Sequence, residues 1–268
     1  MKIGNREFDT QNKTYIMGIL NVTPDSFSDG GKYDSPDKAF MRVREMIAQG
    51  VDIIDIGGES TRPGYLPLTA QEEMDRVLPV IEAIRKEYDI PISLDTSKAS
   101  VAGAGIAAGA DMINDIWGLK RDGDMAKVIA DAGVCCCLMH NRENGEYTDF
   151  QAEVLSDLEE SLELAQRAGI GQDKIMVDPG IGFAKTYEQN LWMLSHLECL
   201  HTFGLPVMLA ASRKSVIGLT LDLEKDERLE GTLATSVIGV MKGCSFVRVH
   251  DIEENVRAVK MALAIRNI

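Results

Sequence analysis

Cysteine, aromatic residues and positive charge are all scarce. The 268-residue chain has 5 cysteines and 6% aromatic residues, and its 28 Lys and Arg face 42 Asp and Glu, a net charge of −14. That balance argues against a general nucleic-acid binder or a protein held on an acidic membrane. It leaves room for an anionic small substrate, because a local cluster of cations can act inside a cleft. No apolar run reaches the roughly 18 residues that span a bilayer. The first ten residues, M-K-I-G-N-R-E-F-D-T, lack the apolar core of a signal peptide, so a cytoplasmic location is expected. The cysteines are odd in number, and Cys135, Cys136 and Cys137 are consecutive. Neighbours on a strand point to opposite faces, so the triplet cannot form a compact metal clamp; buried thiols in a reducing compartment are expected. Three catalytic signatures are also missing. There is no G-x-S-x-G nucleophile elbow, no H-E-x-x-H zinc helix and no G-x-G-x-x-G after the first strand. No Pro- or Ser-rich linker divides the chain, so residues 1–268 are expected to form one domain.

What the chain does have is a repeat. Helix, glycine and short apolar strand recur. Gly50 precedes V-D-I-I-D-I-G-G, Gly109 precedes A-D-M-I-N-D-I-W, Gly133 precedes V-C-C-C-L-M-H-N and Gly243 precedes C-S-F-V-R-V-H-D. Eight strands are expected, ending near Leu20, Ile56, Leu94, Ile113, Leu138, Val177, Leu209 and Val249. They lie about 33 residues apart on average, the size of one strand–helix unit of a parallel sheet. The strands are rich in Ile and Val, as strands covered on both faces are. Between them run amphipathic helices. From Gln151 to Ala168, Val154, Leu155, Leu158, Leu162 and Ala165 should face inward, while Glu153, Asp157, Glu160 and Glu163 read as a solvated face. Lys2 to Phe8 reads as a hairpin with a Gly-Asn turn that lids one end. The fold expected is α/β, a (β/α)8 TIM barrel with a short N-terminal β-hairpin; an open doubly wound sheet is the alternative.

In a barrel all strand carboxyl ends share one face. The residues expected there are Asn21; Asp55 with Gly57 to Gly64; Asp95 to Lys98; Asn114 and Asp115; His140 to Arg142; Asp178 to Gly180; Ser212 to Ser215; and Arg248, His250 and Asp251. Every tip delivers charge or hydrogen-bonding capacity. Arg62, Lys214, Arg248 and His250 suit a phosphate or pyrophosphate. Asp95, Asn114 and Asp178 suit a flat heterocycle with N–H donors and carbonyl acceptors. Leaving the first strand is a polar, glycine-ended loop, N-V-T-P-D-S-F-S-D-G-G (Asn21 to Gly31), with a lone aromatic, Phe27. His196, His201, Trp117 and Trp192 read as structural.

That loop, with G-G-E-S-T-R-P-G (Gly57 to Gly64), resembles the dihydropteroate synthase family of folate biosynthesis, the target of sulfonamides. The likeness extends through L-D-T-S-K (Leu94 to Lys98), I-N-D-I (Ile113 to Ile116), V-D-P-G-I-G-F-A-K-T (Val177 to Thr186), S-R-K-S (Ser212 to Ser215) and R-V-H-D (Arg248 to Asp251). It implies a (β/α)8 barrel that joins 6-hydroxymethyl-7,8-dihydropterin diphosphate to 4-aminobenzoate, releasing pyrophosphate. Asp95, Asn114, Asp178 and Lys214 would hold the pterin ring. Asn21 would bind magnesium together with the diphosphate. Arg62, Arg248 and His250 would grip the diphosphate, with Thr61 nearby. Phe27 and Pro63 would close on the aminobenzoate, and Ser215 would face its carboxylate. Phe183 completes the expected substrate-binding set. Asp95, Asp178, Lys214, Arg248 and His250 form the catalytic set. The family is usually dimeric, and the last helices of the barrel are the expected contact faces.

The implied chemistry is dissociative, with carbon–oxygen cleavage preceding attack by the weakly basic amine. Two departures from the family pattern stand out. L-M-H-N-R-E-N-G-E-Y (Leu138 to Tyr147) replaces a more usual M-H-M, and Ala210 stands where a glycine often precedes S-R-K. Two rivals remain at this level: a related pterin-binding methyltransferase barrel, and a barrel that binds a pterin without turning it over.

Overall fold

The computed structural model describes residues 1–22, 35–59 and 67–268. Two short antiparallel strands come first, β1 (Lys2–Ile3) and β2 (Arg6–Glu7). Then come β3 (Tyr15–Asn21), α1 (Ser35–Gln49), β4 (Ile53–Gly57), α2 (Ala70–Glu87), β5 (Ile92–Asp95), α3 (Ala99–Ala108), β6 (Met112–Asp115) and α4 (Met125–Ala132). The second half continues with β7 (Cys135–Met139), α5 (Phe150–Ala168), β8 (Ile175–Asp178), α6 (Tyr187–Ser195), β9 (Met208–Leu209), α7 (Ser215–Leu221), α8 (Leu229–Met241), β10 (Phe246–Val249) and α9 (Ile252–Arg266).

Strands β3 to β8 pair in sequence order, and β10 pairs with both β3 and β9, all in parallel. A single bridge, Val177 to Val207, joins β8 to the entry of β9 and closes the ring. The chain is therefore a (β/α)8 barrel, and the eight strands stand where the repeat places them. Its recurring glycines end the helical segments: Gly50, Gly109, Gly133, Gly169 and Gly243 all have positive φ, between 63° and 118°. A left-handed residue past the last turn stops a helix, and glycine takes that conformation without steric cost. The start of α2 is set by a capping box: the Thr69 hydroxyl accepts from the Glu72 backbone N–H and the Glu72 carboxylate accepts from the Thr69 N–H.

Strand alternation divides the core in two. Ile54, Ile56, Leu94, Ile113, Cys136, Leu138, Val177, Val247 and Val249 pack outward under the helices. Met17, Ile53, Met112, Cys135, Cys137, Met176, Met208 and Phe246 fill the barrel interior, and Ile3 and Phe8 of the hairpin join them. The hairpin thus plugs the interior at the end opposite the strand tips, as the lid reading requires. The cysteine triplet splits across the two faces, with the outer members inside and Cys136 outside. All five cysteines are free; Cys199 is half-buried and the other four are buried.

The acidic run on α5 is not wholly solvated. Arg142 donates to Glu153 at 2.8 Å and to Asp157 at 2.5 Å, and Asp157 also bonds His140 at 3.0 Å. Periodicity alone cannot separate a solvated carboxylate from one met by a cation in the preceding loop.

Phe246 is fully buried, with the rings of Phe8 and Tyr15 5.7 and 5.8 Å from its own. Phe246→Ala is expected to destabilise the fold by about 3–5 kcal/mol, read from denaturant melts. A loss under about 1 kcal/mol would contradict this packing of the barrel floor.

Candidate active site

The charged residues at the strand tips follow from the same alternation that builds the apolar floor. Successive inward positions on a strand are two residues apart, about 6–7 Å along it. Two residues beyond Ile53, Met112, Met176 and Phe246 stand Asp55, Asn114, Asp178 and Arg248. Asp95 lies at the tip of β5, in register with Gly57 and Asn114. A layer of methionine, isoleucine and phenylalanine therefore carries a polar layer directly above it, at the carboxyl ends of the strands.

Arg248 ties that layer together. Its Nε donates to Asp55 Oδ2 at 2.6 Å and its Nη2 to Asp95 Oδ2 at 2.7 Å. The amide of Asn114 approaches Asp55 Oδ2 at 3.5 Å. Burial opposes the Arg248 charge, but the two carboxylates more than offset this and hold its pKa above the ordinary value. Burial pushes Asp95 up to about 7, against the pull of Arg248. Asp178 is also raised by burial, opposed by Lys214 and by a 2.6 Å bond from the Gly180 N–H. Burial draws Lys214 down to about 8, against the pull of Asp178. Its ammonium donates to the Ile181 carbonyl at 2.5 Å and lies 4.8 Å from the centre of the Phe183 ring.

The four residues expected to hold the ring, Asp95, Asn114, Asp178 and Lys214, all stand at this end of the barrel, with Phe183 against Lys214. Arg248 joins them, and its guanidinium rests on the carboxylates of the floor. At the rim, His250 Nδ1 meets Ser212 Oγ at 2.9 Å, and its backbone carbonyl accepts from Arg42 at 2.9 Å. Ser215 is exposed at the first turn of α7, directly after Lys214. Asn21 ends β3, half-buried and in register with Gly57. Phe27, Thr61, Arg62 and Pro63 lie outside the described residues.

Sequence reasoning undervalued two members. Asp55 is fully buried and holds Arg248 in place. Its signal is an aspartate in the middle of an apolar strand, a position where a carboxylate is rarely found unless paired. Lys185 gave no such signal, because a lysine in a glycine-rich loop reads as solvated. In the structure it bonds His140 Nδ1 at 2.7 Å and the carbonyls of Gly180 and Phe183 at 3.1 and 3.2 Å, and burial draws its pKa down to about 7.

Burial, aided by the charges of Arg248, Arg213 and Lys225, drives His250 down to about 3. An unfolded histidine gains its proton near 6.5. Between those values the unfolded chain binds the proton that the folded chain refuses, so His250 makes stability fall as pH drops. His250→Asn removes that contribution. Denaturant melts at pH 7 and pH 4.5 are expected to show a smaller loss of stability on acidification than in the unaltered chain; an unchanged or larger loss would contradict the buried, neutral ring.

Residues 17–250 match the pterin binding enzyme family. The dihydropteroate synthase of Clostridium beijerinckii is 58% identical over 262 residues, covering 97% of each chain. Among solved structures, the Clostridium difficile dihydropteroate synthase in the presence of pteroic acid superposes with a TM-score of 0.94, at 48% identity over 97% of this chain and 99% of that one. The Xanthomonas albilineans enzyme with 4-aminobenzoic acid gives 0.92, at 39% identity over 96% and 94%. With a barrel whose interior ends in a layer of paired carboxylates and cations, and with likeness of this extent, the chain belongs to the pterin binding enzyme family, among the dihydropteroate synthases.

Proposed function

We propose that this chain, as a single pterin-binding barrel over residues 1–268, joins 6-hydroxymethyl-7,8-dihydropterin diphosphate to 4-aminobenzoate and releases pyrophosphate. One observation carries the reading. Asp55, Asp95, Asn114, Asp178, Lys214 and Arg248 share the inner face of one barrel end, where Arg248 links β10 to β4 and β5. Asp95, Asn114 and Asp178 meet the ring's donors and acceptors, and Lys214 donates to a ring acceptor while packing on Phe183.

Arg248 has five N–H donors, of which the floor carboxylates use two. The remainder, with His250 and Arg62, are assigned to the diphosphate, and Thr61 lies near them. Phe27, Pro63 and Ser215 are assigned to the aminobenzoate. In the reaction the methylene carbon–oxygen bond breaks and its electron pair leaves with pyrophosphate. The ring spreads the positive charge, and the carboxylates of Asp95 and Asp178 stabilise it electrostatically. The amine nitrogen then forms the new carbon–nitrogen bond and gives its proton to water. Exclusion of water until that step keeps the cation from being hydrolysed.

Magnesium fits as a partner of the diphosphate rather than as a resident of a protein cage. Among the described residues no three His, Cys, Asp or Glu side chains form a metal-holding group. Magnesium is commonly held by one or two protein oxygens together with phosphates and waters. Asn21 offers one such oxygen beside Gly57, where a Cβ would lie 3.6 Å from Asn21 Oδ1 and 3.9 Å from Asp95 Oδ2. When bound, the ion supplies charge neutralisation to the leaving group.

A homodimer through the last helices is proposed as well. Ile238 and Met241 of α8 and Met261 and Ile265 of α9 are exposed, and Arg266 of α9 bonds the Val240 carbonyl of α8, so the two helix ends adjoin. Among the described residues no helix is long and apolar enough to cross a membrane. Five free thiols agree with a cytoplasmic location.

Mixing the purified chain with pterin diphosphate, magnesium and 4-aminobenzoate is expected to release pyrophosphate and dihydropteroate in equal amounts. Pterin binding without pyrophosphate would favour a methyltransferase or a binding barrel instead. Chelating the magnesium is expected to lower turnover at least tenfold while leaving the affinity for the bare pterin alcohol within twofold. An equal loss of both would remove the ion from the leaving-group role. Asp178→Ala is expected to weaken pterin binding by about 2–3 kcal/mol, the cost of leaving ring donors unpaired; unchanged affinity in a titration would remove the ring-recognition assignment.

A further inference from the structure

Beside the strand tips lies a chain of polar groups, with His140 buried and Arg142, Asp157 and Lys185 half-buried, to which the reaction assigns no part. Arg142 donates to Asp157 through Nε at 2.5 Å and Nη2 at 3.3 Å. Asp157 Oδ2 meets His140 Nε2 at 3.0 Å, and His140 Nδ1 meets the Lys185 ammonium at 2.7 Å. The same ammonium donates to the carbonyls of Gly180 and Phe183. An ammonium has three protons, and here it finds three acceptors. That fixes the imidazole: Nδ1 presents its lone pair to Lys185, and Nε2 carries the proton toward Asp157. Burial, which lowers His140 to about 4, keeps the ring neutral as this arrangement demands.

The segment Lys185 holds is not relaxed backbone. Gly180, Gly182 and Ala184 have φ of 69°, 84° and 43°. Alanine takes the left-handed region at a cost, so the surroundings must impose it. Tyr147 donates to the Ala184 carbonyl at 2.9 Å. A Cβ on Gly180 would fall 2.0 Å from the His140 carbonyl oxygen, so the loop is pressed against the end of β7. One lysine grips the loop at Ile181 from the pocket, and the other at the carbonyls of Gly180 and Phe183. Between them they set where Phe183 and the Asp178 side chain stand.

We propose that Lys185, seated by His140 and Asp157, is a positioning residue for pterin binding: its ammonium fixes the β8 loop so that Phe183, Asp178 and Lys214 fit the ring. The inference rests on the proposed reaction.

The test measures affinity for 6-hydroxymethyl-7,8-dihydropterin, and KM for pterin diphosphate and 4-aminobenzoate, in the full chain. The unaltered protein is compared with Asp178→Ala, Lys185→Met, His140→Leu and His140→Asn. Lys185→Met and His140→Leu are expected to weaken pterin binding and raise its KM at least tenfold, with the aminobenzoate KM within twofold. His140→Asn, which restores an acceptor near Nδ1, is expected to recover most of the loss. A general structural defect would not separate the two substrates or respond to the restored acceptor. Should Lys185→Met fail to fold, the two His140 variants decide alone. Pterin affinity within twofold of the unaltered chain in Lys185→Met and His140→Leu, while Asp178→Ala loses it, overturns the inference and spares the reaction. An unaltered chain that binds no pterin overturns both.

Discussion

A single guanidinium held between the buried carboxylate of Asp55 and the half-buried one of Asp95 organises the carboxyl end of this barrel. Arg248 extends from β10, past β3, to Asp55 on β4 and Asp95 on β5. Charges taken out of water persist only when paired and hydrogen-bonded, and removing one partner of such a set leaves an uncompensated charge. The arrangement therefore fixes three strand tips against one another before any substrate arrives. It also leaves tension in the site: Asp55 Oδ1 is buried with no hydrogen-bond partner among the described residues, and burial raises Asp95 and Asp178 together. A floor of this kind is poised to accept a ligand that brings N–H donors and positive charge.

The apolar half of the interior makes that floor possible. Phe246 and its methionine and cysteine neighbours fill the lower barrel, and Ile3 and Phe8 close it from below. The polar layer thus sits on a packed apolar base, where electrostatic interactions are stronger than in water. The same two-residue period that buries Phe246 points Arg248 into the pocket, and the same holds for Ile53 with Asp55 and Met176 with Asp178. Fold and site are two readings of one alternation, so a register shift in any strand would turn its floor residue and its charged residue outward together.

Much of this was legible in the chain. Eight apolar strands with glycine before most of them identified the barrel, and the polar residues at their tips identified the face on which the pocket lies. Asp95, Asn114, Asp178, Lys214 and Arg248 all stand at that end of the barrel. What stayed hidden were partnerships made across elements. Asp157 looked like one more solvated carboxylate on α5, because helical spacing says nothing of the Arg142 and His140 side chains that descend on it from the β7 loop. Lys185 carried no sign of its partner, because its contact with His140 depends on how the β8 loop folds back. That Arg248 rests on the carboxylates of Asp55 and Asp95 was equally beyond the sequence, since residue type alone suits it to phosphate as well.

Titration calorimetry of the bare dihydropterin alcohol against Asp55→Asn tests the central arrangement most directly. Asp55 touches Arg248 and Asn114 and is assigned no contact with the substrate. Replacing its charge with an amide weakens its hold on Arg248, which then settles on Asp95 at the expense of the ring. A roughly tenfold loss of affinity, about 1.4 kcal/mol, in a variant with unchanged circular dichroism is the expected result. Affinity equal to that of the unaltered chain would contradict the claim that the carboxylate–guanidinium layer sets the floor of the pocket.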